Sequence, residues 1–407
     1  MFKGWIVAAC ASCMTLTFGV IYSYTDFFIP LQREFGWSAV SDSSIPAVSL
    51  IVFSIGSIVG GVLVTRIGWR KMSILGAVFM GLGTALSSEI SDYNGLLILF
   101  GIIASLGNAF AVICAGPMVV KWFIKRRGIA VGISAAGSGI GTLVVPPIAE
   151  NLISTHGWRF AFLSIGVFFL VLLLVASYFM KTPEESSEKP YGWNEVSSTE
   201  QSRMLKEEHS FKEALMTKRY WMIFVMFFLG TVGATMFIVH AAPFGATHGI
   251  NQFYASVGLG VFGAGSLIAR IAVGAISDKL SGATSLVIAL VSEFIGLVAL
   301  PFVSFSIWLF LACSFAIGFG YGGYLADFIS IVGDLFGSRS VARIWGFTEA
   351  SYGLGGLLGP IIAGAYFASF GTYTGIFELA ALGMLVAVVI SVLFERDVNR
   401  VEVPKRV

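Results

Sequence analysis

Twelve long apolar runs decide what this chain can fold into. A helix needs about 20 mostly apolar residues to cross roughly 30 Å of hydrocarbon. Runs of that kind recur at 5–29, 44–65, 72–90, 95–120, 129–153, 159–180, 219–245, 253–277, 284–304, 306–335, 345–368 and 373–394, divided by charge or turn clusters. Lipid offers no water to bond the backbone, so each run has to close its own hydrogen bonds as a helix. Only 12% of the 407 residues are charged and 57% are hydrophobic, whereas a soluble domain carries about 25% charged residues. These values argue against a large soluble helical protein. The net charge of +2, with no basic stripe outside the loops, gives no reason to expect a nucleic-acid partner.

Residues 3–22, with Lys3 ahead of an apolar stretch, have the form of a signal peptide. The eleven runs that follow favour an uncleaved first helix. Cys10, Cys13, Cys114 and Cys313 all fall inside predicted spans; Cys10 and Cys13 have Cys-x-x-Cys spacing, but inside an apolar helix all four read as free packed thiols, neither a disulfide nor a metal site.

Lysine and arginine sort the loops. Lys3, Arg66, Arg70, Lys71, Lys121, Lys125, Arg126, Arg127, the 181–219 segment, Lys279, Arg339, Arg343 and the tail from Arg396 fall on one side, and only Arg33 and Arg159 on the other. The positive-inside rule then makes both termini cytoplasmic, as an even number of spans requires. The expectation is a multi-pass protein of the inner or plasma membrane. Its domains are an N-terminal six-helix bundle (1–181), a cytoplasmic linker (182–218) rich in Glu, Ser and Lys, a C-terminal six-helix bundle (219–396) and a cytoplasmic tail (397–407).

The halves read as repeats. Gly132 to Pro146 (GISAAGSGIGTLVVP) matches Gly346 to Pro360 (GFTEASYGLGGLLGP) without a gap, 214 residues on. Gly61 to Gly68 (GVLVTRIG) recurs from Gly274 (GAISDKL), 213 residues on. Two repeats in the same orientation predict a parallel pseudo-two-fold, with a substrate site between halves near the bilayer midplane.

At these loops the sequence resembles the major facilitator superfamily, over nearly the whole chain. That family's loop between spans two and three reads roughly Gly-x-Leu-x-Asp-Arg-x-Gly-Arg-Arg. Gly61, Leu63, Arg66, Gly68, Arg70 and Lys71 match, but Thr65 stands in the acidic position and Trp69 replaces an arginine. The second copy keeps Asp278, Lys279 and Gly282. Such loops gate by a carboxylate and cations that bridge neighbouring helices. The run Lys121 to Ser138 with Gly157-Trp158-Arg159, then Asp334-Leu-Phe-Gly337 and Gly353 through Pro360, is similar to monocarboxylate transporters. His240-Ala-Ala-Pro-Phe244 is similar to their bacterial members and to oxalate/formate antiporters. The resemblance implies the major facilitator fold, an all-α membrane protein of twelve transmembrane helices in two bundles. It also implies a secondary carrier of a small carboxylate, neither an enzyme nor cofactor-dependent, working as a monomer with the bilayer, substrate and proton as partners.

Arg270 is the one Lys or Arg in the interior of a span, about seven residues and roughly 10 Å from the cytoplasmic end of span eight. An arginine at that depth is expensive and marks a functional site by default. Its planar fork suits a carboxylate, and the arginine of span eight in the resembled families binds the substrate carboxylate. Those transporters carry an Asp one turn earlier, where Ser266 stands, and a span-one lysine, where Tyr22 stands. The oxalate antiporters' second cation in span eleven is replaced by Tyr352. One cation suits a monovalent anion. Asn108, Tyr321, Tyr324, Tyr352 and Tyr22 complete the expected pocket.

The candidate proton carriers are Glu349, whose repeat mate is Ala135, with Asp327, Asp26 and His240. His240 also reads as a histidine bonded to backbone at the Pro243 break. Glu293 and Glu378 read as end-of-span or lipid-interface residues. Gly137-x-x-x-Gly141 and Gly355-x-x-x-Gly359 are small-residue faces that let helices approach closely, and Pro146, Pro147 and Pro360 are positions for bends. The loops hold no Walker motif, which argues against ATP drive. A proton–monocarboxylate symporter (lactate- or pyruvate-like substrate) is therefore set beside an organic-anion exchanger, and beside an intramembrane enzyme or sensor. The last lacks both a catalytic constellation and an output domain.

Overall fold

The computed structural model describes residues 2–37, 39–195, 209–303 and 306–400. Part of the expected linker (196–208) and most of the expected tail (401–407) lie outside the described residues. Among those described, twelve helices are long and apolar enough to cross a membrane. They are spans 1 to 12: Lys3–Phe35, Ser44–Ile67, Trp69–Glu89, Tyr93–Trp122, Arg127–His156, Trp158–Phe179, Lys218–Ala241, Val257–Lys279, Gly282–Phe302, Ile307–Phe336, Val341–Phe370 and Gly375–Val398.

Local chemistry accounts for the irregular spans. Span 1 is broken into Lys3–Thr15, Phe18–Tyr22 and Tyr24–Phe35. At its breaks the Thr17 and Ser23 hydroxyls bond the carbonyls three residues back, at 2.6 and 2.9 Å, a pattern that bends helices. Span 4 widens into π-helical turns over Leu97–Ala104. Spans 5 and 11 stay helical through Pro146, Pro147 and Pro360, the freed backbone groups being tolerable in a packed membrane helix. The tight turns before spans 3 and 6 use Gly68 and Gly157 at φ 88° and 86°, a backbone conformation that only glycine adopts freely.

The chain divides into two compact units. The first is Met1–Ile124, Ile133–Glu208 and Gly337–Ala350; the second is Lys125–Gly132, His209–Phe336 and Ser351–Val407. Each is held by glycine-mediated helix contacts. Lipid tails are as apolar as leucine, so close packing rather than water exclusion drives association between helices. In the first unit, a Cβ on Gly107 of span 4 would lie 2.1 Å from the Met80 amide of span 3, and one on Gly137 of span 5 would lie 1.8 Å from the Ser12 carbonyl of span 1. In the second, Gly318 and Gly322 of span 10 meet the Phe262 and Ser266 carbonyls of span 8, where a Cβ would sit at 2.1 Å in both cases.

The repeat seen in the sequence returns as matching contacts. Within the second unit, Gly128 and Gly132 at the start of span 5 lie on the backbones of Gly274 and Arg270. Within the first, Gly61 meets Ala342 at the start of span 11, and Gly346 meets Ser57. Ser57 is thus the repeat mate of Arg270, so the arginine belongs to one copy alone. The described start of the linker docks on the first unit: Tyr191 pairs with Phe123, the Trp122 indole donates to the Lys181 carbonyl at 2.8 Å, and Lys3 pairs with Glu188 at 2.7 Å.

Candidate functional site

Span 8 holds Arg270 with only 4% of its surface exposed. Burying an ion costs several kcal/mol even after local relaxation, so a buried guanidinium in a membrane helix persists where it serves a charge. One turn earlier Ser266 is buried against Gly322 of span 10.

The same unit carries a cluster of aromatic rings. The Tyr321 and Tyr352 hydroxyls are 3.1 Å apart and buried. Tyr321 packs on Phe262 (5.5 Å between ring centres) and Tyr324 (5.8 Å), and Phe227 of span 7 packs on both Tyr324 and Tyr352, at 5.9 Å each. Gly230 makes room for the Tyr324 ring, which a Cβ would approach to 2.9 Å. These tyrosines are interior residues of spans 10 and 11 rather than interface anchors. Asn108 and Tyr22 belong to the first unit, where Asn108 is buried with its Oδ1 2.7 Å from the Thr17 hydroxyl, and Tyr22 is half-buried.

The candidate proton carriers separate by environment. Asp327 of span 10 is fully buried, with the Ser285 and Ser277 hydroxyls beside its carboxyl. Glu349, in the first unit, is 5% exposed and takes a hydrogen bond from the Trp345 indole one turn earlier. Asp26 is half-buried and faces Glu150 of span 5. His240 bonds backbone, though at Pro360 of span 11 (3.1 Å) and not at Pro243, with the Tyr373 hydroxyl 3.4 Å from its other nitrogen. Burial raises the Tyr373 phenol above its ordinary value.

The loop motifs resolve into two unlike links. In the second unit Asp278 takes the Gly128 amide at 2.7 Å and the Ile129 amide at 2.9 Å, one on each oxygen, capping span 5. Beside it Arg127 pairs with Asp334. In the first unit Thr65 fills the equivalent place: its hydroxyl accepts from Arg343 Nε at 3.1 Å and Nη2 at 2.7 Å and donates to the Val62 carbonyl. A neutral hydroxyl thus stands where the second copy has a carboxylate. Arg70 lies over the Tyr178 ring at 4.7 Å, while Arg66, Lys71 and Lys279 are exposed. Sequence reading missed the Arg127–Asp334 pair, since both residues look like ordinary loop charges. It also missed Glu293: that residue is 0% exposed and is neither an end-of-span nor a lipid-facing residue. Glu378 is exposed.

The Asp278 cap gives a direct test. Asp278→Asn replaces a doubly accepting carboxylate by an amide and removes the charge at a helix N-terminus, worth about 1–2 kcal/mol. The melting temperature of the purified protein should fall by about 1–2 °C, while Lys279→Gln leaves it near wild type. Equal melting temperatures for both variants would show that the cap carries no weight.

Comparison with known proteins accords with this architecture. The family model described as Major Facilitator Superfamily matches residues 7–308 and 284–406. Human monocarboxylate transporter 11 is 29% identical over 403 residues, covering 93% of this chain and 80% of that protein. The oxalate:formate antiporter of Oxalobacter formigenes is 24% identical, covering 94% and 88%. Among solved structures, the proton:xylose symporter XylE superposes with a TM-score of 0.75 at 16% identity, over 94% of both chains. The transporter FucP, in its outward conformation, gives 0.72 at 14% identity, over 95% of this chain and 98% of the other. Twelve membrane-crossing helices, a duplicated half and a family match along nearly the whole length make this chain a multi-pass membrane transporter of the Major Facilitator Superfamily, and not an enzyme.

Proposed function

We propose that this transporter carries a small monocarboxylate of the lactate or pyruvate kind together with a proton, by alternating access. The reading rests chiefly on the buried guanidinium of Arg270, the one cation away from the span ends and a natural fork for a carboxylate. The aromatic cluster of Tyr321, Tyr324 and Tyr352 in the same unit supplies hydroxyls and ring faces to the rest of the substrate. Its relatives named monocarboxylate transporters support the same substrate class. An acid, Glu349 or Asp327, takes a proton as substrate arrives, so that anion and proton cross as a neutral pair. The gating residues Arg66, Arg70, Lys71, Asp278 and Lys279 lie on the cytoplasmic side, both termini are cytoplasmic, and the protein works as a monomer in the inner or plasma membrane.

Uptake of radiolabelled L-lactate into proteoliposomes tests this. With an inward gradient of about one pH unit, a one-to-one symporter accumulates lactate about tenfold, since each unit is worth about 1.36 kcal/mol. Uptake that ignores pH and depends on preloaded anion would replace symport by exchange, the mode named for the Oxalobacter relative.

A further inference from the structure

Glu293 sits about 16 Å from the Gly282 end of span 9 and about 13 Å from the Phe302 end, so near the middle of the helix. It is fully buried. Its cradle is made of glycine. A Cβ on Gly320 of span 10 would lie 2.5 Å from Glu293 Cβ, and one on Gly233 of span 7 would lie 3.1 Å from Glu293 Oε1 and 3.0 Å from Leu297. A larger residue at Gly320 would force the backbones of spans 9 and 10 apart at Glu293, and one at Gly233 would crowd its carboxyl. The Ala234 backbone approaches the carboxyl, yet among the described residues neither carboxyl oxygen has a partner in normal hydrogen-bond geometry.

We propose that Glu293 is a proton-binding residue of the transport cycle, held in a glycine cradle between spans 7 and 10. Metal-ion binding is the rival occupancy, and the cradle argues against it. Hard cations need six or more oxygen ligands, whereas Gly233, Gly320 and Leu297 bring no side-chain oxygen to the acid, and among the described residues no group of three His, Cys, Asp or Glu gathers to hold a metal. A proton needs one carboxylate. It also removes the charge that hydrocarbon penalises most. Span 7 and span 10 both touch the acid, so a shift of either changes its surroundings and with them its hold on the proton.

Other ionisable groups on the helices packed against span 9 lie elsewhere. Asp327 is about 10 Å further along span 10 than Gly320, with Tyr324 and Cys313 on the same helix. Span 8 contributes Arg270. On span 7, His240 is held at Pro360. On span 12, Glu395 takes the Thr284 hydroxyl at 2.5 Å and Glu378 is exposed.

The proposal rests on proton coupling, so the experiment separates the two. Infrared difference spectra of the substrate-free protein in lipid nanodiscs, recorded across roughly pH 5 to 10, read carboxylic-acid carbonyl bands directly. Glu293→Gln should remove one such band and Glu293→Asp should move it. A Glu293→Gln spectrum superimposable on wild type overturns the proposal. In proteoliposomes, Glu293→Gln should lose the accumulation of about tenfold driven by one pH unit while lactate–lactate exchange stays within about twofold of wild type. Wild-type accumulation in the variant overturns the proposal. A wild-type protein that accumulates no lactate overturns the symport reading alone. The infrared comparison then decides Glu293 by itself: a lost band supports the assignment and an unchanged spectrum refutes it.

Discussion

Arg270→Gln should weaken the apparent affinity for substrate carboxylate by about 100-fold. A bidentate charge-assisted contact is worth about 3 kcal/mol, which is about two decades in affinity. Glutamine keeps the length and a donor but neither the charge nor the fork. Arg270→Lys keeps the charge as a point, so an intermediate loss of about tenfold follows. Substrate titration of uptake reads both variants. An unchanged half-saturation concentration in Arg270→Gln would remove the residue from the binding site.

The second large effect is structural. Gly137→Val should abolish folded protein. A Cβ there would lie 1.8 Å from the Ser12 carbonyl and 2.4 Å from the Thr15 hydroxyl, and that hydroxyl is itself bonded to the Ser134 carbonyl at 2.6 Å. Spans 1 and 5 would have to separate along this face. That combines lost packing with a broken buried hydrogen bond, among the changes that exceed about 4–5 kcal/mol. Gly263→Ala is the control, since nothing lies within 4 Å of a Cβ at that position. The yield of monodisperse protein on size exclusion should collapse in the first and stay near wild type in the second. Comparable yields would mean that the backbones of spans 1 and 5 do not approach as described.

Much of this was legible in the chain itself. Bilayer thickness dictates helix length, so twelve apolar runs became twelve helices with ends displaced by a few residues. The duplicated glycine motifs were legible for a related reason: only small residues allow backbone contact, and Gly128, Gly132, Gly61 and Gly346 all make it. Arg270 stood out because charge is rare at that depth. Glu293 did not, although it too is a charge in an apolar run. Its two readings, facing lipid or facing the bundle, differ only by rotation about the helix axis, and hydrophobicity on every side of span 9 hides that angle. The breaks in span 1 were likewise hidden, because the bonds of Thr17 and Ser23 to nearby carbonyls compete with helix only once neighbours fix their rotamers.

The sequence alone determined the number of spans, the duplication and the single interior arginine, since each follows from a solvent that tolerates few unsatisfied polar groups. The tertiary structure decided which polar groups meet. It alone brings Arg343 to Thr65 across 278 residues and Arg127 to Asp334 across 207. It alone closes Gly233 and Gly320 around Glu293. Those pairings depend on helix rotation and register, set by summed packing between helices distant in the chain, and no local pattern of residues encodes an angle of that kind.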